Sequence, residues 1–176
     1  MARIQYDQEL KSLKNQMLEL GVMIEEIIQE TVRALIRQDA ELAKKISDND
    51  DRVDERVRQI EQDCCMLFLK QQPVARDLRA VYAALKMITD MERIGDHGKD
   101  ISELTIHMMG GDYSEVINRI EEMSKETSVM IIEAIDAFAE ESEDKARKVI
   151  SRDDTVDNLF MDVKTRIADS IKGGES

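Results

Sequence analysis

The chain has 176 residues, with 38 Asp and Glu against 25 Lys and Arg, for a formal net charge of −13. One Pro and 7 Gly supply too few turn-formers for a sandwich or barrel, while 42% hydrophobic residues suffice for a core and argue against wholesale disorder. A pI near 4.7 repels nucleic acid and anionic lipid and suits cations and basic partner surfaces. Apolar residues then recur at three-and-four spacing nearly throughout, which predicts helices. A first helix carries Leu10, Leu13, Met17, Leu20, Ile24, Ile27, Ile28, Thr31, Ala34 and Leu35 and ends near Gln38. Asp39 is placed to cap a second, whose stripe of Leu42, Ile46, Val53, Val57, Ile60, Cys64, Leu67 and Phe68 runs to about Lys70. Gln71-Gln72-Pro73 breaks the pattern, with Pro73 at a favoured first-turn position. A third helix follows from about Val74 to Met109, Gly110-Gly111-Asp112 punctuates, and a fourth spans about Tyr113 to Glu140. Glu141-Ser142 forms a weak joint before a fifth, which fades at Gly173-Gly174. Long helices with short connections are the profile of an antiparallel bundle, so the predicted fold class is all-α.

An internal repeat organises these helices. Shifted by 103 residues, Ala43–Asp54 falls on Ala146–Asp157 with six of twelve positions identical, and Ile28, Glu30 and Ala34 fall on Ile131, Glu133 and Ala137. The expected architecture is tandem three-helix bundles: a complete unit over 1–109, then an incomplete two-helix unit over 110–176. Carried forward, Pro73 would land on Ser176, so the final helix is expected to be absent and the chain reads as a fragment. Met123, Ile131, Ile135, Phe138, Val149, Val156 and Phe160 are expected to form the face left without its third helix. The alternatives are a loose second unit and a helix supplied by another copy.

Acidic pairs at i,i+4 stand on single helix faces: Asp50/Asp54, Glu92/Asp96, Asp96/Asp100 and Asp153/Asp157. Folding the second and third helices into a hairpin about Gln72 brings Asp50/Asp54 level with Glu92/Asp96. Four carboxylates at one level repel unless protonated or neutralised by cations, and hard oxygen donors suit Mg, Ca, Mn or Fe. A solvated acidic ridge, with Met87, Met91, Ile94 and Ile101 as the buried face, is the competing reading. Mid-helix Gly95 marks close packing or approach to that site. A di-iron Glu-x-x-His pattern is missing before His97 and His107, and the Asp48-Asn49-Asp50 run has Val53 where a calcium loop needs Gly. No P-loop or nucleophile set is present either. Both His are read as surface residues, and the Met-rich faces as core filler or an adaptable partner surface. Adjacent Cys64 and Cys65 point about 100° apart on a helix, which argues against a framework disulfide and for a reducing cytoplasm. The N-terminus lacks a secretory pattern, and no stretch approaches the roughly 20 apolar residues of a membrane span.

Gln72-Pro73-Val74-Ala75-Arg76-Asp77-Leu78-Arg79, followed by Met91-Glu92-Arg93-Ile94-Gly95-Asp96-His97, resembles the PhoU family of phosphate-signalling proteins. The resemblance implies two three-helix bundles and E/D-x-x-x-D motifs that bind iron, magnesium or manganese. Asp50, Asp54, Glu92, Asp96 and Asp100 would then be metal ligands in the first unit, and Asp153 and Asp157 in the second, where the third-helix acids are missing. It also implies a non-catalytic cytoplasmic adaptor, and a homodimer, that represses the phosphate-starvation response. Its partners would be the phosphate ABC transporter, through its ATPase, and a membrane sensor kinase, with no nucleic acid bound and no insertion into the bilayer. The contrasting reading is a metal-independent helical scaffold or dimerisation module.

Overall fold

The computed structural model describes residues 2–48, 51–71 and 75–173. They form α1 (Ala2–Arg37), α2 (Ala40–Ser47), α3 (Asp51–Gln71), α4 (Ala75–His107), α5 (Ser114–Ala139) and α6 (Glu143–Gly173), with no strand among them. The all-α bundle is as expected. One long second helix is not: α2 stops at Ser47, and Asp48 stands as its C-cap. The reason lies in composition, since Asp48-Asn49-Asp50-Asp51 is a run of residues whose side chains compete for backbone hydrogen bonds.

The repeat is written into the backbone at two turns. After α1, Gln38 takes a left-handed φ of 50°, its N–H bonding Leu35 O, while Asp39 N–H bonds Ala34 O. After α5, Glu141 takes φ 55°, its N–H bonding Phe138 O, while Ser142 N–H bonds Ala137 O. Both are Schellman closures, and every participant is shifted by 103. The capping that follows is repeated too. Leu42 N–H donates to Asp39 Oδ1 at 3.0 Å, and Lys145 N–H donates to Ser142 Oγ at 3.3 Å. The Gln38 side chain adds a second anchor, since its Nε2 donates to Gly111 O at 2.7 Å and its Oε1 accepts from Gly110 N at 2.9 Å. Both ends of one amide thereby hold the α4–α5 connection, where Gly110 supplies the positive φ of 82°.

α4 packs against α1, α2 and α3, and α5 packs against α1 and α6. Leu13, Met17, Leu20 and Ile24 of α1 meet Val53, Val57, Ile60 and Cys64 of α3 and Val81, Ala84 and Ile88 of α4 in one buried cluster. Ile131 and Ile135 of α5 join it. That corrects the expectation that these two wait for a missing helix, because α1 covers them. The buried line of α4 also departs from expectation beyond Met91. It continues through Gly95, Gly98, Ser102 and Thr105, whereas Ile101 is exposed and Ile94 and Met87 are half-buried. Small residues let α1 approach closely there. Gly98 O accepts from Thr31 Oγ at 3.3 Å and from Ser102 Oγ at 2.9 Å.

The two units differ on one side. Met17, Leu20 and Ile24 are fully buried, but their repeat partners Ile120, Met123 and Thr127 are half-buried. Val57 and Cys64 are 3% and 0% exposed, while the residues 103 further on, Phe160 and Ile167, are 54% and 45% exposed. The face that α4 covers in the first unit is open in the second.

Candidate functional site

The acid positions come from two helices. Asp54 and Glu61 lie on α3, one and three turns from its start, and Glu92, Asp96 and Asp100 on α4. Asp50 lies outside the described residues. Because α3 and α4 pack as neighbours around Val57, Cys64, Val81 and Ile88, their flanks bring carboxylates together at one edge of the contact. Glu92 is the centre of that edge. It is half-buried, and its carboxyl is raised above the ordinary value by desolvation first, then by the charges of Asp54, Asp96 and Glu61, with Arg58 opposing. Arg58 Nη2 stands 3.7 Å from Asp54 Oδ2. The hairpin reasoning thus brings Asp54 level with Glu92 and Asp96, and Glu61, assigned no ligand role from sequence, joins them.

Asp96 is exposed at this edge, and the remaining candidates stand apart. Asp100 is exposed and faces His97, whose Nδ1 is 3.8 Å from Asp100 Oδ2. Asp153 and Asp157 are exposed on α6. Among the described residues, no three His, Cys, Asp or Glu side chains are already close enough to hold one metal ion. The donor chemistry nevertheless fits a hard cation: carboxylates from two helices repel one another around a partly desolvated Glu92, and a cation there would relieve that repulsion.

A cleft of about 210 Å³ lies beside this edge, at the junction of α1, α2, α3 and α4. Gly95 lines it, with Met23, Ile27, Ile46 and Val53 as apolar floor and Glu26, Glu30, Lys45, Arg52 and Lys99 around it. Sequence reasoning missed this group, since the signs are mixed and the residues come from four elements. Gly95 lines this cleft rather than the acid cluster it was expected to approach, and it is not the tight helix contact. A Cβ on Gly95 would meet Val53 Cγ1 at 3.4 Å, an ordinary distance. A Cβ on Gly98 would sit 2.4 Å from Ile27 Cγ2.

The cysteines behave as their helix positions require. Cys64 is buried against the core, which pushes its thiol up to about 12, with Cys65, Asp63 and Glu61 adding to the effect. Cys65 is exposed. No described helix is long and apolar enough to cross a membrane.

With the fold and this edge in view, the likeness to known proteins is specific. A family model described as the PhoU domain matches residues 17–105 and 120–176. The phosphate-specific transport system accessory protein PhoU homolog of Clostridium acetobutylicum is 35% identical over 161 residues, covering 91% of this chain and 74% of that protein. The phosphate-specific transport system accessory protein PhoU of Escherichia coli is 30% identical over 156 residues, covering 89% of this chain and 65% of that one. Among solved structures, PhoU from Pseudomonas aeruginosa superposes with a TM-score of 0.88 at 27% identity, over 96% of this chain and 81% of the other. The phosphate transport system regulatory protein PhoU from Streptococcus pneumoniae gives 0.88 at 26% identity, over 96% and 79%. The matched residues take in α3, nearly all of α4 and the whole acidic edge between them, and on that footing the chain belongs to the PhoU family.

Proposed function

We propose that this chain is a regulatory adaptor of phosphate uptake rather than an enzyme, working in the cytoplasm as a homodimer built from units 1–109 and 110–176. It links the phosphate ABC transporter, through the transporter's ATPase, to the phosphate sensor kinase, and so holds down the phosphate-starvation response. The observation that carries the adaptor role is family membership over most of the chain, with relatives named as accessory proteins of phosphate-specific transport. The chain spans about two thirds to three quarters of those relatives' length. The test is a gene-replacement strain. Loss of this chain should raise a phosphate-starvation reporter in phosphate-replete medium, and a purified transporter ATPase should retain it on a column. A silent reporter together with no retention refutes the adaptor.

The second part of the reading is a cation (Fe, Mg or Mn) at the α3–α4 edge. Glu92 supports it, since a half-buried carboxyl crowded by Asp54, Asp96 and Glu61 is the group whose repulsion a cation removes. Asp54, Glu92 and Asp96 would hold it, with Asp50 the further candidate on the α3 side and Asp100 one turn beyond Asp96. Bound metal supplies positive charge that ties α3 to α4 and sets the shape of the surface shown to partners. Metal added at 100 times its Kd should raise stability by about 2.7 kcal/mol. Glu92→Ala with Asp96→Ala should abolish that rise. If elemental analysis finds no metal and chelator leaves the melting curve unchanged, the metal-independent scaffold stands instead.

A further inference from the structure

The cleft at the junction of α1, α2, α3 and α4 has a lining that packing does not call for. Its walls come wholly from the first unit, and its volume of about 210 Å³ holds about seven waters at ~30 Å³ each. A five-atom anion enters such a space with part of its hydration. Two positive charges in the lining are uncommitted. Lys45 lies in the last turn of α2 and Arg52 in the first turn of α3; both are exposed, and neither pairs with any described residue. Arg52 at a helix start opposes the helix dipole, which favours an anion there. Lys99 of α4 is half-buried beside them and already has an interaction within the chain. The α1 wall is acidic. Glu30 is held by Arg33 Nη2 at 3.1 Å, while Glu26 is exposed and pairs with no described residue.

A lining of this kind discriminates among anions. Two cations, one with a guanidinium fork, match the two charges and the oxygens of a phosphate dianion. Sulfate has the same charge and shape. Monohydrogen phosphate differs by one O–H, a donor from which the Glu26 carboxylate can accept, whereas sulfate would set two anions face to face without a proton between them. Mixed signs are wrong for a plain anion trap and right for a phosphate that carries a hydroxyl. We propose that this cleft binds a phosphate group, held by Lys45 and Arg52 and read through a hydroxyl by Glu26. Inorganic phosphate and a phosphate monoester of a polyol share that chemistry, the ester offering hydroxyls of its organic part. The second unit lacks the combination. Thr155 and Val129 stand at the repeat positions of Arg52 and Glu26, and Arg152 instead bonds Glu133 at 2.9 Å and Glu126 at 3.0 Å, the repeat positions of Glu30 and Met23. One unit satisfies its acids internally, and the other leaves two cations and an acceptor open. The inference goes beyond the adaptor reading and needs neither the transporter nor the metal.

Titration calorimetry of the full chain in chelator tests it, at about pH 7.5, where phosphate is chiefly the dianion. Inorganic phosphate, glycerol phosphate and sulfate form three separate arms. At least one phosphate arm should bind with a Kd of about 1 mM or tighter, and sulfate at least about tenfold more weakly. The tighter of the two phosphate arms identifies the source. Arg52→Gln and Lys45→Gln should each weaken phosphate by about tenfold, and Glu26→Gln should bring sulfate to within about threefold of phosphate. All three side chains are exposed, so each variant should melt with wild type, and the melts are run beside the titrations. No binding in either phosphate arm overturns the site, as does binding that Arg52→Gln and Lys45→Gln leave unchanged. Sulfate equal to phosphate in wild type shows a plain charge trap and overturns the proposal too. The adaptor is judged separately, by its reporter and its column.

Discussion

Gly98 offers a sharp test of how α1 and α4 meet. A methyl group at Gly98 would sit 2.4 Å from Ile27 Cγ2 and 3.5 Å from Thr31 Oγ. Ordinary carbon contacts begin near 3.5 Å, so the helices must part by about 1 Å. Rotation cannot relieve this, because Cγ2 is fixed to the branched Cβ of Ile27 and a β-branched side chain is stiff at χ1. Separation would also stretch the Thr31–Gly98 hydrogen bond, already 3.3 Å, beyond bonding range. Overpacking of this kind costs about 1–3 kcal/mol, and replacing a helical glycine returns about 1 kcal/mol. Gly98→Ala should therefore destabilise by about 1 kcal/mol at the middle of that range, a fall of roughly 2–4 °C in melting temperature for a chain of this size. Gly95→Ala is the internal control. Its methyl finds Val53 at 3.4 Å and Ile24 at 3.6 Å, so only the helix gain remains and the melting temperature should rise by about 2 °C. Urea and thermal unfolding of both variants, in chelator, decide the matter. If Gly98→Ala is as stable as wild type, the α1–α4 contact is looser than drawn. If Ile27→Ala fails to lessen its effect, the named methyl is not the cause.

Three further outcomes follow from single groups. At pH 8, a thiol held near 12 is about one ten-thousandth thiolate, so native protein should show one rapidly titrating cysteine, Cys65, and denatured protein two; two fast thiols in the native state would refute the burial of Cys64. Arg152→Ala should loosen the α5–α6 hairpin by about 1 kcal/mol, measured by urea unfolding, with a penalty that shrinks in high salt. Glu92 has its folded value raised, so its contribution to stability is present below the unfolded carboxyl value, about 4.3, and is lost as pH rises through the folded one. Without metal, Glu92→Gln should consequently match wild type near pH 4 and exceed it by about 0.3–0.5 kcal/mol at pH 7, and equal stability at both would refute the crowding.

What could be read from sequence followed the strength of each local signal. The stripe Leu13, Met17, Leu20, Ile24 and the stripe Val53, Val57, Ile60, Cys64 are apolar at helical spacing, and all eight are buried. The same rule failed along α4 beyond Met91. There the contact is made by Gly95, Gly98, Ser102 and Thr105, whose fitness for burial comes from small volume and a backbone acceptor, and neither registers as hydrophobicity. Ile131 and Ile135 were misassigned because periodicity says that a face is buried, not which helix buries it. The acidic edge was legible in part. Spacing placed Glu92 and Asp96 on one face and Glu61 on the same column as Asp54, and hairpin geometry brought Asp54 to Glu92, but that Glu61 also reaches Glu92 is a matter of proximity across helices.

The repeat explains why the two units diverge. Their turns are equivalent bond for bond, so the chain enters α2 and α6 from the same geometry. Entry is therefore not what separates them. The difference arises about two turns later. In the first unit Asp48-Asn49 follows Ser47, and α2 is capped at Asp48; at the repeat positions Ser151-Arg152 follows Ile150, and α6 runs on unbroken. Arg152, replacing Asn49, is a stronger helix former and fastens that stretch to Glu126 and Glu133 of α5. A capped α2 lets α1, α2, α3 and α4 enclose a cleft; an uninterrupted α6 presents one straight face instead. The cleft is lined by Gly95 and Val53 with the charged Glu26, Glu30, Lys45, Arg52 and Lys99. The two units thus share their turns and part where α2 is capped and α6 runs on.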